Sequence, residues 1–404
     1  MSGRPPIIDG AMLADLAARL DASALAAVEE AAEAWARVKL AGGRVAVATG
    51  SGPNLHEGAT CQVAELVRLG LVDGVITSSA VVGHEMAGCL ERVRRVDGAA
   101  LGLPLDVLPH GGKVEVSLLS EAELARIERV APVDRDLLAR MLALPGKDII
   151  KVAGNLAYPT GMWAERMARR MLSMARAAGL PLEAVAGLGC DRQTMLGACA
   201  RRGAPCLVSV PQLVGGGYVG LAVGDSVPIS RRSMLVARVL AQADIIVESG
   251  LALAQEIHDG PFELYTGHGL WARHEGMKTF SLRDKRIVRI DLDPALRRVW
   301  ELERGGGAVS AAIDDGRPKA ATLEAPFRME MSGFARLPGS LPITGDLGVV
   351  WPLLATKVAA RLGVKLDFVC YKQDAPPGRA VREYIVEHVR PLDPSLTVQG
   401  LKDM

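Results

Sequence analysis

The sequence predicts an α/β protein, a doubly wound and mostly parallel sheet covered by helices on both faces. Two observations carry that prediction. Short apolar runs rich in valine and isoleucine alternate with helical periods along most of the chain, and small residues, glycine above all, cluster where those runs stop. Composition sets the scale: with 49% hydrophobic and 23% charged residues over 404 positions, the chain can bury one large core or two of medium size.

The elements follow in order. Residues 24–40 are rich in alanine and glutamate and read as a helix; 44–49 is a short run with valine at alternate positions; 58–70 has helical periodicity ending at a capping glycine; 74–77 is strand-like again. Further on, 163–179, 192–203 and 231–241 read as helices, with 183–187, 206–210 and 245–247 as the apolar runs between them. The pattern continues through 286–290, 294–303, 342–344, 348–362 and 365–369. Two stretches fit less well. Residues 102–148 read as a helical insertion, with its helix over 119–144, and 305–339 reads as a long excursion without a sustained period. The chain thus divides into an N-terminal helical segment (1–43), an α/β domain (44–370) and a C-terminal helical tail (371–404).

Charge and cysteines narrow the partners. Lysine and arginine number 47 against 46 acidic residues, so no basic excess recommends nucleic acid or an anionic membrane, and a small molecule is the expected partner. The six cysteines are scattered, with no paired spacing and no secretory leader ahead of them, which favours reduced core residues and a cytoplasmic location. No run approaches the roughly 18 apolar residues of a membrane helix.

In an open parallel sheet the ligand crevice lies beyond the carboxyl ends of the strands. Five such ends stand out: Thr49-Gly50-Ser51-Gly52-Pro53-Asn54, Thr77-Ser78-Ser79, the loop 211–217 with its triple glycine, Glu248-Ser249-Gly250 and Gly345-Asp346-Leu347. Glycines and small hydroxyls there let backbone N–H groups approach phosphate oxygens, although a tight turn alone also favours glycine. No strict dinucleotide or P-loop fingerprint accompanies them. Asp291, at the end of an apolar run, suits a ribose hydroxyl, whereas Asp293 before Pro294 suits a helix cap.

Gly50-Ser51-Gly52-Pro53-Asn54-Leu55, the run Leu71-Val72-Asp73-Gly74-Val75-Ile76-Thr77-Ser78-Ser79 and Gly345-Asp346-Leu347-Gly348-Val349-Val350-Trp351-Pro352 together resemble the deoxyhypusine synthase fold family. A branch of it, the NAD-dependent ornithine cyclodeaminases of archaea and cyanobacteria, is similar over more of the chain. The shared patches are Val82-Gly83-His84-Glu85, Asp225-Ser226-Val227-Pro228, Arg289-Ile290-Asp291-Leu292-Asp293-Pro294-Ala295 and Thr344-Gly345-Asp346-Leu347-Gly348, spread over 44–363. The resemblance implies a Rossmann-like NAD-binding architecture. It further implies an ammonia-lyase chemistry in which a carbon–nitrogen bond of a small amino acid or diamine is oxidised to an imine and NAD is recycled. Asn54, Leu55, Ser78, Ser79, Gly250, Asp291, Asp346 and Leu347 would then line the cofactor, with His84 and Glu85 at the branch's own His-acid turn.

Departures matter as well. The family's imine-forming lysine has no counterpart in Met331-Ser332-Gly333-Phe334-Ala335-Arg336, and the nearest is Lys319, which weakens a second reading, aminoalkyl transfer of the deoxyhypusine or homospermidine type. Where that family holds a polyamine with acids, this chain has Gly215, Gly216 and Gly217 and supplies an acid only at Asp225. A polar stretch offers another grip: Glu248, then Glu256, His258 and Asp259, with His258 as candidate base and the carboxylates for an ammonium group. Such residues also cap and tie down surface loops. His258, His268 and His274 lack the close pairing of a zinc site, so no metal is expected. Lys151 is a candidate for a substrate carboxylate, together with Asn155 and Tyr158. A third reading is a non-catalytic NAD-binding sensor. The apolar N-terminal helix and the resemblance both point to a homodimer or homotetramer.

Overall fold

The structure, a computed structural model, describes residues 9–109, 111–209, 217–250, 282–318, 323–324 and 329–404. Ten strands are present among them: β1 (Val45–Thr49), β2 (Gly74–Thr77), β3 (Leu90–Asp97), β4 (Lys113–Ser117), β5 (Gly146–Val152), β6 (Ala157–Tyr158), β7 (Cys206–Val208), β8 (Ile245–Ser249), β9 (Arg286–Asp291) and β10 (Ser340–Thr344). Six of them form one sheet in the order β7-β2-β1-β8-β9-β10 with every pairing parallel. Numbered by their own sequence, these strands run 3-2-1-4-5-6, the order of dinucleotide-binding sheets. The order reverses between β1 and β8, whose register pairs Thr49 with Ser249.

Period-two alternation explains why the sheet is covered twice. Val45, Val47, Val75, Ile245, Val247, Val288 and Ile290 point into one apolar layer, while Ala46, Ala48, Ile76, Ile246 and Ile287 point into the other. The first layer is closed by helices that include Ala22–Leu40, Ala59–Arg68 and Leu347–Arg361, the second by Ile229–Gln242 and Pro294–Gly306. The N-terminal helix belongs to this packing. Trp35 donates its indole N–H to the Leu71 carbonyl at 3.0 Å and meets Trp351 edge-on at 6.4 Å between ring centroids.

Three expectations need correction. Residues 183–187 form no strand but the middle of the helix Leu182–Gly189; it is buried on almost every side, so its helical period is invisible in polarity. Residues 365–369 form no strand either, because helix side chains take the backbone there: Glu65 accepts from Asp367 N–H at 2.8 Å and Gln62 from Cys370 N–H at 3.1 Å. The region 102–148 is more than a helical insertion. Its β4, with β3, β5 and β6 from the flanking chain, builds a second sheet of order β5-β3-β4-β6, against which the helices Glu121–Glu128 and Arg135–Ala143 pack through Leu124, Leu138 and Met141. Within 305–339 the helices Ala308–Asp314 and Met329–Arg336 are present; Glu303 joins the first to its predecessor by accepting from the N–H groups of Val309 and Ser310.

Candidate functional site

The switch point is built by a loop that folds back on the neighbouring strand. After β1 the chain turns through Gly52, whose φ of 68° favours glycine, into the short helix Pro53–His56. Asn54 is buried there and clasps β8: its amide donates to the Ser249 carbonyl at 3.1 Å and accepts from the Ser249 hydroxyl at 2.5 Å. Trp351 donates to that hydroxyl at 2.7 Å, so the loop, β8 and the helix Leu347–Arg361 are locked together. Gly250 follows with φ 101° and gives its N–H to Ile290 at 3.1 Å.

In front of this clasp lies space. A methyl group placed on Gly50 or Gly52 would meet nothing within 4 Å, and the N–H groups of Ser51 and Gly52 take no internal partner among the described residues. Beside it, the hydroxyls of Thr49, Thr77 and Ser78 are buried without a hydrogen-bond partner among the described residues. Buried hydroxyls are ordinarily satisfied, and three orphans at adjoining strand ends suit a polar ligand laid across β1 and β2. A phosphate-bearing dinucleotide fits such donors.

A cleft of about 690 Å³ opens one helical turn further on. Ala80, Gly83 and His84 line it from one face of the helix Ser79–Met86, facing Asn155, Gly161 and Glu165 from the loop after β5 and the helix Thr160–Ala178. His84 Nδ1 lies 2.6 Å from the Ala153 carbonyl, which can only accept, so Nδ1 carries the proton and the neutral ring keeps its lone pair on Nε2. Burial holds the imidazole down at about 4, in its base form at neutral pH.

Its neighbour Glu85 points the other way. Both carboxylate oxygens accept at 2.9 Å from Met195 and Leu196 N–H at the start of the helix Met195–Arg202, and burial lifts the carboxyl to about 7. Glu91, behind the cleft, is raised to about 7 for the same reason while accepting from Ser117 Oγ and Gly154 N–H.

Other candidates are placed as follows. Leu55 and Leu347 are core side chains, and the Leu55 N–H is spent on Gly52. Ser79 is buried at the helix start. Asp291 accepts from Asp293 N–H at 3.0 Å and faces Arg289 at 3.5 Å, while Asp293 caps the helix Pro294–Gly306. Glu248 lies within the sheet opposite Arg289, fully buried in a cross-strand ion pair. Asp346 caps the helix Leu347–Arg361 through Gly348 N–H and abuts the Glu57 carboxyl, which burial first and Asp346 second push up to about 8. Lys151 is tied to Glu115 rather than lining the cleft. Asp225 does not reach it: the residue is exposed and paired with Arg176, fifteen residues along the helix from Gly161, a distance of roughly 22 Å. Glu256, His258 and Asp259, with Gly215, Gly216 and Lys319, lie outside the described residues.

Sequence reasoning missed Glu165, whereas Thr49 and Thr77 lie in the strand ends it singles out for their small hydroxyls. Glu165 carries no motif, and only the helix azimuth brings it opposite His84. All six cysteines are buried and free. Among the described residues there is no group of three or more His, Cys, Asp or Glu side chains able to hold a metal ion, and no helix long and apolar enough to cross a membrane.

No family profile and no curated protein matches the chain. Among solved structures it is similar to apo ArgZ, an arginine dihydrolase from the ornithine–ammonia cycle in cyanobacteria, at 14% identity and TM-score 0.38, covering 84% of this chain and 32% of that one. It is similar to the ternary complex of AgrE with ornithine and NAD+ at 15% and 0.40, covering 85% and 34%. A conserved LOR/SDH protein from Methanococcus maripaludis S2 stands at 12% and 0.38, covering 86% and 72%. The chain spans about a third of the length of the first two. Overlap at this level assigns it to no family, and the likeness to deoxyhypusine synthase and its cyclodeaminase branch stays one of sequence patches.

Proposed function

We propose that this chain is an enzyme that binds NAD across the β1/β8 switch point and oxidises the carbon–nitrogen bond of a small amino acid or diamine seated in the His84 cleft, in the manner of an ammonia-lyase that recycles its cofactor. The observation that carries the reading is the 3-2-1-4-5-6 sheet with orphaned hydroxyls and open glycines at its point of reversal. The choice of a carbon–nitrogen bond extends the sequence resemblance.

Bound there, NAD would supply a hydride acceptor. Ser51 and Gly52 N–H groups and the hydroxyls of Thr49, Thr77 and Ser78 would hold it, on a loop fixed by Asn54 and Ser249. His84 is oriented by the Ala153 carbonyl and offers Nε2 to an ammonium proton, the role of a general base. Glu165 supplies a carboxylate to a second ammonium, and Asn155 an amide to a substrate carboxylate.

Calorimetric titration with NAD, followed by single-turnover NADH formation with a panel of amino acids and diamines, tests this. Saturable NAD binding with amine-dependent reduction is expected. Absence of binding defeats the reading. Binding without reduction by any amine leaves the sensor. Unchanged reduction by His84→Asn moves the chemistry to Glu256, His258 and Asp259.

A further inference from the structure

A second cavity, of about 760 Å³, lies on the opposite face of the helix Thr160–Ala178. Trp163 and Met167 line it from that face, whereas Gly161, Met162 and Glu165 line the His84 cleft; at 100° per residue the two sets stand back to back. No residue is shared, so the two sites stand or fall separately.

The cavity carries a net positive charge, five arginines against Asp191 and Asp393. Arg126, Arg129, Arg192, Arg201 and Arg390 line it, and none of the five forms an ion pair among the described residues. Its two acids are already engaged. Asp191 accepts from the N–H groups of Gln193 and Arg390 at 2.8 and 3.1 Å, and Asp393 accepts from Ser395 N–H and Oγ at 2.8 and 2.5 Å. Arg201 is partly committed to the carbonyls of Cys190 and Gly197. The other guanidinium groups converge from three segments distant in sequence.

Solvated arginines on an open face need no explanation, but two features set this cluster apart. It is concave, and two residues of its lining carry buried donors that meet no acceptor among the described residues. The guanidinium of Arg126 stacks over Trp163, 5.0 Å from the ring centroid; its Nη1 and the Trp163 indole N–H, on a side chain 1% exposed, are buried with no hydrogen-bond partner among the described residues. A buried donor is costly until an acceptor reaches it, and a guanidinium deprived of water is best matched by an oxyanion that takes two of its N–H groups.

We infer that this cavity is a binding site for a small phosphorylated polyanion, with Arg126 and Trp163 N–H as the inner donors and Arg129, Arg192 and Arg390 as the outer ring. Several closely spaced phosphoryl oxygens fit four guanidinium groups better than a single carboxylate, and the volume falls in the range of small-ligand pockets.

Pyrophosphate is the probe, measured by isothermal titration of the whole chain at low ionic strength, with citrate as the carboxylate comparison. Saturable binding of pyrophosphate is expected, tighter than that of citrate. Arg126→Gln is expected to weaken it about tenfold or more, and Arg126→Lys, which keeps the charge but not the fork, by an intermediate factor. Because Arg126 is partly buried, the exposed pair Arg129→Gln and Arg390→Gln gives a second measure that leaves the interior intact, with several-fold losses expected for each. An exposed control far in sequence, Arg317→Gln, is expected to change nothing. Absence of saturation, equal losses in Arg317→Gln, or unchanged affinity in folded Arg126→Gln and Arg390→Gln would overturn the site; tighter binding of citrate would overturn its phosphate chemistry.

Discussion

The two halves of the sheet's carboxyl rim answer the same sequence cue differently. Over β8, β9 and β10 the strand ends include acids that face charge or cap a helix: Glu248 and Asp291 lie against Arg289, Asp291 also accepts from its own turn, and Asp346 caps a helix start. Over β1 and β2 they include the hydroxyls of Thr49, Thr77 and Ser78, which have no hydrogen-bond partner among the described residues. Carboxylates beside strand ends thus sit against arginine or a helix start in one half, while the other half presents neutral hydroxyls, the groups proposed above to meet a ligand. An unpaired buried charge would cost far more than an unpaired hydroxyl, so only the hydroxyl half can afford to wait.

The largest effect that would sharpen this contrast is on turnover. His84→Asn is expected to lower amine-dependent NADH formation by roughly 10²–10⁴-fold with NAD affinity retained. Single-turnover rates beside titration calorimetry separate the two; a parent-like rate would remove His84 from the chemistry.

Next comes the neighbour that faces the fold. Glu85→Ala strips two buried N–H groups of their acceptor and is expected to cost on the order of 3 kcal/mol in urea unfolding. A loss below about 1 kcal/mol would show that the helix Met195–Arg202 caps itself by other means.

Replacing the orphans inverts the usual trade. Thr49→Val and Thr77→Val keep shape and remove an unsatisfied hydroxyl, so thermal stability is expected to hold or rise by about 1 kcal/mol while NAD affinity falls several-fold. Lower stability with unchanged affinity would mean that these hydroxyls serve the fold.

Where the two halves touch, Glu57 after β1 against Asp346 after β10, there is a pH signature. Glu57 is raised to about 8 in the folded chain from an ordinary value near 4.5, so the native state holds a proton that the unfolded chain gives up. Its contribution is complete below pH 4.5 and is lost as pH rises through 8. Glu57→Gln, which keeps a neutral side chain at every pH, is therefore expected to match the parent at low pH and to gain on it progressively up to pH 8. A pH-independent difference in unfolding free energy would contradict the raised proton affinity that burial, and then Asp346, gives Glu57.

Much of this molecule was legible before folding was considered. Val45–Thr49, Ile245–Ser249 and Arg286–Asp291 announce themselves as strands because apolar β-branched residues run up to small ones. Asp293 before Pro294 reads directly as a cap, since both its carboxylate and the proline ring act within one turn. Local chemistry of that kind survives in a single sequence. By contrast, Asp225 shares a motif with candidate ligands yet sits on the surface, and Glu85, beside His84, turns away from the cleft.

The sequence by itself determined the types of most elements of the main sheet, its parallel layering and the glycine-rich strand ends, because each depends on neighbours a few residues apart. Only the tertiary structure decided the strand order, and with it the place where the order reverses. It also decided that 183–187 is helical, that a second sheet stands beside the first, and that Glu165 faces His84 while Trp163, two residues earlier, faces five arginines. The physical reason is range. Periodicity fixes which face of an element is apolar, but what a polar side chain meets on the far side is supplied by segments tens to hundreds of residues away, and only packing brings those together.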